Sequence, residues 1–322
     1  MSGSLRSDFT PGVPHLSDAP APDDRRSRPL PRRAGEGPPR TGVFGRLLGG
    51  TRAGFRLAAF LAAVAVSLAD HFVAVRIATR RQPALARARW ARRWARRYLR
   101  LFGVEVTATG EPPEHGLLVS NHLSYLDILV LGAAQPTVFV AKCELRGWPV
   151  IGWVTRCAGT IFIDRTRLRD VRRVVEELPR PVAEGAVVTF FPEGTSTDGR
   201  TVLPFYSSLF EPAIRHRWPV SGAWIEYSPD DGEEGVRDAV CWWGDADFAP
   251  HFWRFLAMRR TQARVVYGPK RPAGPDRKTL AKQLHAQICD LGDVVPSADG
   301  IALRAALIAG KCPPAWRSTN RG

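Results

Sequence analysis

Cysteine is scarce in this chain. There are five in 322 residues (Cys143, Cys157, Cys241, Cys289 and Cys312), odd in number and widely scattered. No CxxC pair and no His/Cys ligand spacing occurs, so neither a disulfide framework nor a zinc site is expected, and a reducing compartment fits best. Acidic residues are also short: 31 Asp and Glu face 46 Lys and Arg, a formal charge of +15. That imbalance calls for an anionic partner, whether nucleic acid, an anionic membrane or a phosphorylated substrate. No Gly-x-Ser-x-Gly elbow is present, and neither Cys143 nor Cys157 carries a flanking signature. A hydrolase working through an acyl-enzyme therefore lacks a visible nucleophile. Internal repeats are absent. No apolar core closely follows the start, which argues against a signal peptide. Asp8, Asp18, Asp23, Asp24 and Glu36 argue against an acid-poor organelle transit sequence.

Four regions are expected from what is present. Residues 1–42 are rich in Pro, Arg, Ser and Gly without apolar periodicity and read as disordered. Residues 43–102 read as a membrane-associated helical region. Within it, Leu57 to Ala69 is almost uninterruptedly apolar, then Asp70 and His71 intrude before Phe72 to Val75. The uninterrupted part is shorter than the ~20 residues that cross a bilayer, so a helix dipping into one leaflet or a marginal span is expected. Arg76 to Arg100 follows, with Trp90, Trp94 and Tyr98 four residues apart on one helical stripe among ten arginines. That pattern suits a helix lying in the headgroup layer, or one whose aromatics pack on the domain. Residues 103–292 form an α/β domain with a mixed β-sheet flanked by helices. Strands are expected at Val104–Thr109, Leu117–Val119, Val138–Ala141, Ile161–Ile163, Val187–Phe191, Val220–Glu226, Val240–Trp243 and Arg264–Tyr267. Residues 293–322 read as a C-terminal helix and flexible tail.

The chemistry centres on Asn121-His122-Leu123-Ser124-Tyr125-Leu126-Asp127. It leaves a short buried strand and enters a helix, with Ser124 and Asp127 spaced as a capping box. His122 would then stand on the turn before the helix, where its ring can fold back onto the Asp127 carboxylate. One ring nitrogen would be hydrogen-bonded and the other left as a base near neutral pH. The plainer alternative is a capping Asp and a surface His. A second loop, Phe191-Pro192-Glu193-Gly194-Thr195-Ser196, follows the strand at Val187 and puts a carboxylate at a strand's carboxyl end, where ligand sites of open α/β sheets gather. Glu193 could accept bonds from a hydroxylated substrate or from backbone N–H groups.

Four blocks stand in order: Asn121-His122 with Asp127; Gly159-Thr160-Ile161-Phe162-Ile163-Asp164-Arg165; Phe191-Pro192-Glu193-Gly194-Thr195; and Trp218-Pro219-Val220. Together they resemble the signature of the glycerolipid acyltransferases, the lysophosphatidate acyltransferase type. The resemblance implies that family's fold behind N-terminal membrane-contact helices. It implies transfer of a fatty acyl group from acyl-CoA or acyl carrier protein to the free hydroxyl of a lysolipid, without a covalent acyl-enzyme, a metal or another cofactor. By motif, His122 would be the general base and Asp127 its orienting acid. Arg165 would contact an anionic headgroup; Glu193, Gly194 and Thr195 would shape the acceptor pocket; Pro219 would lie on the acyl-donor side. The implied partners are the lysolipid, the acyl thioester and an anionic membrane surface, with no nucleic acid and with the catalytic domain on the cytoplasmic side.

One departure bears on the acceptor. Where the family often has an arginine after Glu-Gly-Thr, this chain has Ser196, with Asp198 close behind. The change should weaken phosphomonoester binding unless Lys142 or Arg146 substitutes. The continuation from Val202 to Phe210 resembles members acting on other lysolipids, including lyso-ornithine lipid. The expected acceptor is thus 1-acylglycerol-3-phosphate or a related lysophospholipid, with lyso-ornithine lipid as the alternative. A non-catalytic basic protein that binds membranes or nucleic acid is the competing class.

Overall fold

A computed structural model describes residues 43–73, 83–229, 239–297 and 300–309. The segment 1–42, the residues joining the first two helices and the tail beyond 309 lie outside the described residues.

Two helices, α1 (Val43–His71) and α2 (Pro83–Phe102), precede the sheet. α1 is longer than its apolar run suggests: the helix is apolar enough from Leu47 to His71 to cross a membrane by length and composition. Asp70 and His71 sit in its last turn. The Asp70 carboxylate accepts hydrogen bonds from Trp94 Nε1 at 2.7 Å and from Arg93 at 3.2 Å, so the polar intrusion serves the contact with α2. α2 has Pro83 at its first position, where a missing N–H costs nothing. Glu184 caps the next two amides, accepting from Ala84 N and Leu85 N. The aromatic stripe of α2 faces protein, not lipid. Trp90, Trp94 and Tyr98 are buried, and Ser67 on α1 takes Trp90 Nε1 on its carbonyl and Tyr98 OH on its hydroxyl. The α2 arginines are exposed except for Arg92, which is half-buried.

The remaining elements, in order, are β1 (Val104–Thr109), β2 (Leu117–Ser120), α3 (Leu126–Ala134), β3 (Thr137–Lys142), α4 (Ile151–Cys157), β4 (Ile161–Ile163), α5 (Leu168–Glu177) and α6 (Pro179–Ala183). There follow β5 (Val187–Phe190), α7 (Glu211–His216), β6 (Val220–Pro229), α8 (Phe248–Ala257), β7 (Thr261–Tyr267), α9 (Arg277–Gly292) and α10 (Gly300–Ile308). The strand expected at Val240–Trp243 does not form. That segment instead lays Trp242 N on the Leu123 carbonyl at 2.8 Å, beside the His-Asp turn.

The strands make one seven-stranded sheet ordered β1-β7-β6-β2-β5-β3-β4, parallel except for the β6–β7 pair. β2 lies at its centre and is buried on both faces, as a short continuous apolar run predicts. Leu117 and Val119 pack on one side with α5 and α9; Leu118 packs on the other with α2 and α3. Helices cover both faces, which leaves the carboxyl ends of the parallel strands as the natural place for a site.

Candidate active site

β2 and β5 run parallel with Val119 opposite Phe190. The same offset, carried three residues on, sets His122 level with Glu193, and the His122 amide donates to Glu193 Oε1 at 2.8 Å. The two loops the sequence singled out are therefore one structure. Asn121 secures the other side. Its side-chain amide accepts from Ile225 N at 2.7 Å and donates to Ile225 O at 2.9 Å, mimicking a peptide group and prolonging the β2–β6 pairing past the end of the strand.

This footing aims the imidazole. His122 Nδ1 lies 2.7 Å from Asp127 Oδ2, and the ring stacks on Phe191 with centroids 4.0 Å apart. Oδ2 also accepts the amides of Leu123 at 2.7 Å and Ser124 at 3.0 Å, while Oδ1 accepts Tyr227 OH at 2.7 Å. Asp127 is completely buried, so a carboxylate with only one partner would be costly there; four donors offset that cost. It also stands in the first turn of α3, where a negative charge is favoured by the helix dipole. The capping box is half formed: Asp127 reaches back to the Ser124 amide, but the buried Ser124 hydroxyl has no hydrogen-bond partner. Because a carboxylate accepts, the Nδ1–H tautomer is the one that fits. Nε2, without a hydrogen bond among the described residues, is then the basic nitrogen.

His122 borders an apolar cavity of about 380 Å³ that runs under α1 and α2 between Phe60, Trp94, Leu129, Trp148 and Phe252. Its size falls within the usual ligand-pocket range of roughly 300–1,000 Å³. The wall near Tyr125 is set by His251, whose Nε2 donates to the Cys241 carbonyl while Nδ1 lies 3.2 Å from Tyr125 OH. Burial pushes that imidazole down to about 4, so it is neutral.

Glu193 is fully buried and accepts two backbone amides, His122 N and Leu203 N, both at 2.8 Å. Burial pushes its carboxyl up to about 8, against the lowering effect of those two bonds. Both of its oxygens are thus occupied within the chain. Gly194 has φ of 84° and no room for a side chain: a Cβ would stand 2.5 Å from Arg165 Nη1 and 2.7 Å from Tyr206 Cε2. Thr195 is half-buried beside it. Arg165 turns inward, giving one long bond of 3.4 Å to the Phe191 carbonyl, and leaves Asp164 to pair with Arg167. Lys142, one of the two cations considered as substitutes, has an exposed side chain whose pKa is lowered by partial desolvation and then by the nearby Arg165 charge; Arg146 is exposed on the following turn. The Ser196 hydroxyl donates to the Trp242 carbonyl and so has a structural bond.

Pro219 is not brought to this site. It precedes β6, and its carbonyl accepts Leu117 N at the amino end of β2, a strand's length of roughly 13 Å from the His-Asp turn. Two participants were missed by sequence reasoning. Tyr227 falls just past the expected end of its strand, Glu226, although it shares a face with Ile225 by the two-residue period. Tyr206 lies within the Val202–Phe210 continuation, but nothing in that run singled it out.

A family model described as Acyltransferase matches residues 103–226. Lyso-ornithine lipid O-acyltransferases are similar to the chain: that of Rhodobacter capsulatus at 36% identity over 58% of this chain and 70% of the relative, and that of Pseudomonas aeruginosa at 34% over 74% and 87%. The chain belongs to the acyltransferase family. The 1-acyl-sn-glycerol-3-phosphate acyltransferase of Neisseria meningitidis matches at 35% identity over 51% of this chain and 64% of the relative. In architecture, this acyltransferase resembles the crystal structure of the PlsC acyltransferase from Thermotoga maritima, with a TM-score of 0.56 at 18% identity over 77% of this chain and 95% of that one. It is an O-acyltransferase of the glycerolipid type, which replaces the reading of a non-catalytic basic binding protein.

Proposed function

We propose that this enzyme moves a fatty acyl group from acyl-CoA or acyl carrier protein to the free hydroxyl of a lysolipid, by direct attack. His122 Nε2 takes the hydroxyl proton as the oxygen bonds to the thioester carbonyl carbon, and the resulting tetrahedral oxyanion collapses by breaking the C–S bond. The imidazolium returns the proton to the departing thiolate. Asp127 holds the tautomer and stabilises the transient positive charge. The observation that carries this reading is the 2.7 Å His122–Asp127 bond at the edge of a cavity suited to an acyl chain. No metal or prosthetic group has a part in it.

Of the acceptors named for its relatives, lyso-ornithine lipid is favoured, because those relatives match over the larger share of the chain and because Ser196 stands in place of a cation. The Neisseria relative supports 1-acyl-sn-glycerol-3-phosphate as the second reading. We also assign the protein to a membrane surface. α1 leans on the domain through Ala53, Val64 and Ser67, yet turns Phe55, Leu61 and Val66 to the outside, where a soluble helix would be polar. The catalytic domain would then face the cytoplasm, where acyl thioesters are kept.

The deciding experiment incubates purified protein with a radiolabelled acyl thioester and lysophosphatidate, lysophosphatidylethanolamine or lyso-ornithine lipid, and identifies the product. Label in a diacylated product, lost in H122A, is expected. Label released only as free fatty acid would make the enzyme a hydrolase.

A further inference from the structure

The segment after the Glu193 loop is tied back to it. Leu203 N bonds Glu193, and Tyr206 N donates to the Pro192 carbonyl at 2.9 Å. α10 packs onto this same segment through Leu303 and Leu307 against Leu203, with Gly300 close to Pro204. That docking sets Arg304 over the Tyr206 ring at 4.1 Å from its centroid. Arg165 lies 5.7 Å from the centroid of the same ring, so the two guanidinium groups are separated by no more than the sum of those distances.

Neither cation is satisfied. Arg304 is 8% exposed, and its Nε and Nη2 are buried with no hydrogen-bond partner; Arg165 leaves Nε and Nη1 in the same condition. The neighbouring acids are already committed: Asp164 to Arg167, Asp198 to Arg200, and both oxygens of Glu193 to backbone amides. Glu193 is near enough for the Arg304 charge to lower its carboxyl pKa against burial, but no hydrogen bond joins them, so both guanidinium groups keep buried N–H groups that an anion from outside would complete. Tyr206 is 40% exposed, so the ring that both cations flank stands at the surface, within reach of a ligand.

We propose that Arg304 is the second arm of an anion clamp with Arg165, gripping the headgroup oxyanion of the acceptor against Tyr206, and that it supplies the cation missing after the Glu-Gly-Thr turn. The inference rests on the lysolipid reading and adds a specificity-determining residue to it. A guanidinium fork accepts phosphate or carboxylate oxygens alike, so the clamp recognises an anionic oxygen pair, whichever headgroup bears it.

Full-length wild type, R304A and R304K are compared at a fixed acyl thioester, with lysophosphatidate, lyso-ornithine lipid and an uncharged monoacylglycerol as acceptors. R304A should raise the KM for an anionic acceptor by on the order of ten- to a hundred-fold. It should leave the thioester KM within a few-fold and the monoacylglycerol reaction unchanged, and R304K should recover part of the loss. The charged acceptor that shows the effect identifies phosphate or carboxylate as the ligand. An unchanged acceptor KM in R304A, or equal losses with charged and uncharged acceptors, would assign Arg304 to packing alone. Should R304A fail to fold, R304K decides: it keeps charge and stem but loses the fork, and a wild-type acceptor KM in it overturns the clamp. Inorganic phosphate separates this proposal from the acceptor reading. If wild type acylates no lysolipid, that reading falls, while the clamp is judged on whether phosphate raises the melting temperature of wild type and does so less in R304K. No phosphate-dependent rise in that case overturns it too.

Discussion

The two halves of the site differ in how completely their polar groups are satisfied. Around His122, both Asp127 oxygens, both Glu193 oxygens and the Asn121 amide have partners at 2.7–3.0 Å. Around Tyr206, two guanidinium groups keep buried N–H groups with none. Apart from the Ser124 hydroxyl the first network is saturated, and such a network fixes geometry before substrate arrives, which is what proton transfer needs. An unsaturated one gains most of its stability when a ligand completes it. On the proposed mechanism, the half that moves the proton is preorganised and the half that would hold the headgroup is not.

Substitutions can break that contrast. His122→Ala should lower the chemical step by at least ~10²-fold with little change in melting temperature; wild-type-like single-turnover rates would remove the imidazole from the reaction. Arg165→Ala should act through binding, raising the acceptor KM by roughly ten- to a hundred-fold, and a change confined to the thioester KM would move Arg165 to the donor side. Glu193→Gln should cost stability, about 1–3 kcal/mol, because its amide NH₂ must oppose one of two backbone N–H donors. Chemical denaturation measures this, and a neutral result would mean that the loop has another support. Tyr227→Phe removes one of four donors to Asp127 and should slow turnover several-fold, in line with about 1 kcal/mol for a hydrogen bond. An unshifted pH–rate profile in that variant would make Tyr227 a packing residue only.

The smallest effect is on the pH dependence of stability. His251 has its folded pKa depressed from 6.5 to about 4 by burial. Its contribution is complete above the unfolded value and is lost as pH falls from about 6.5 through 4. Between pH 7 and 6 the loss from this group should be under ~1 kcal/mol, read as a modest fall in melting temperature that H251Q flattens.

What the sequence shows and hides follows the same division. β2, β4 and β5 are short apolar runs closed by turn residues, and the His-Asp spacing sits in a local motif, so both were legible. The pairing of Glu193 with the His122 amide was not, because it depends on which strands are neighbours. Tyr227 and Arg304 reach the site from 100 and more residues downstream, through strand alternation and a helix docking that no local pattern records. The aromatic stripe on α2 illustrates the converse: its period was plain, but periodicity does not say whether protein or lipid lies opposite. Val240–Trp243 has strand composition, yet its backbone is drawn to the loop carbonyl of Leu123 instead.

The shared register of β2 and β5 makes the His-Asp turn sensitive to chain length. One residue inserted or deleted inside either strand would reverse the facing of everything downstream, carrying the Glu193 carboxylate away from the His122 amide. Lengthening the exposed stretch 166–169 should be tolerated better, since no strand alignment passes through it. Variation in length among proteins that keep this chemistry is therefore expected between these strands and never within them.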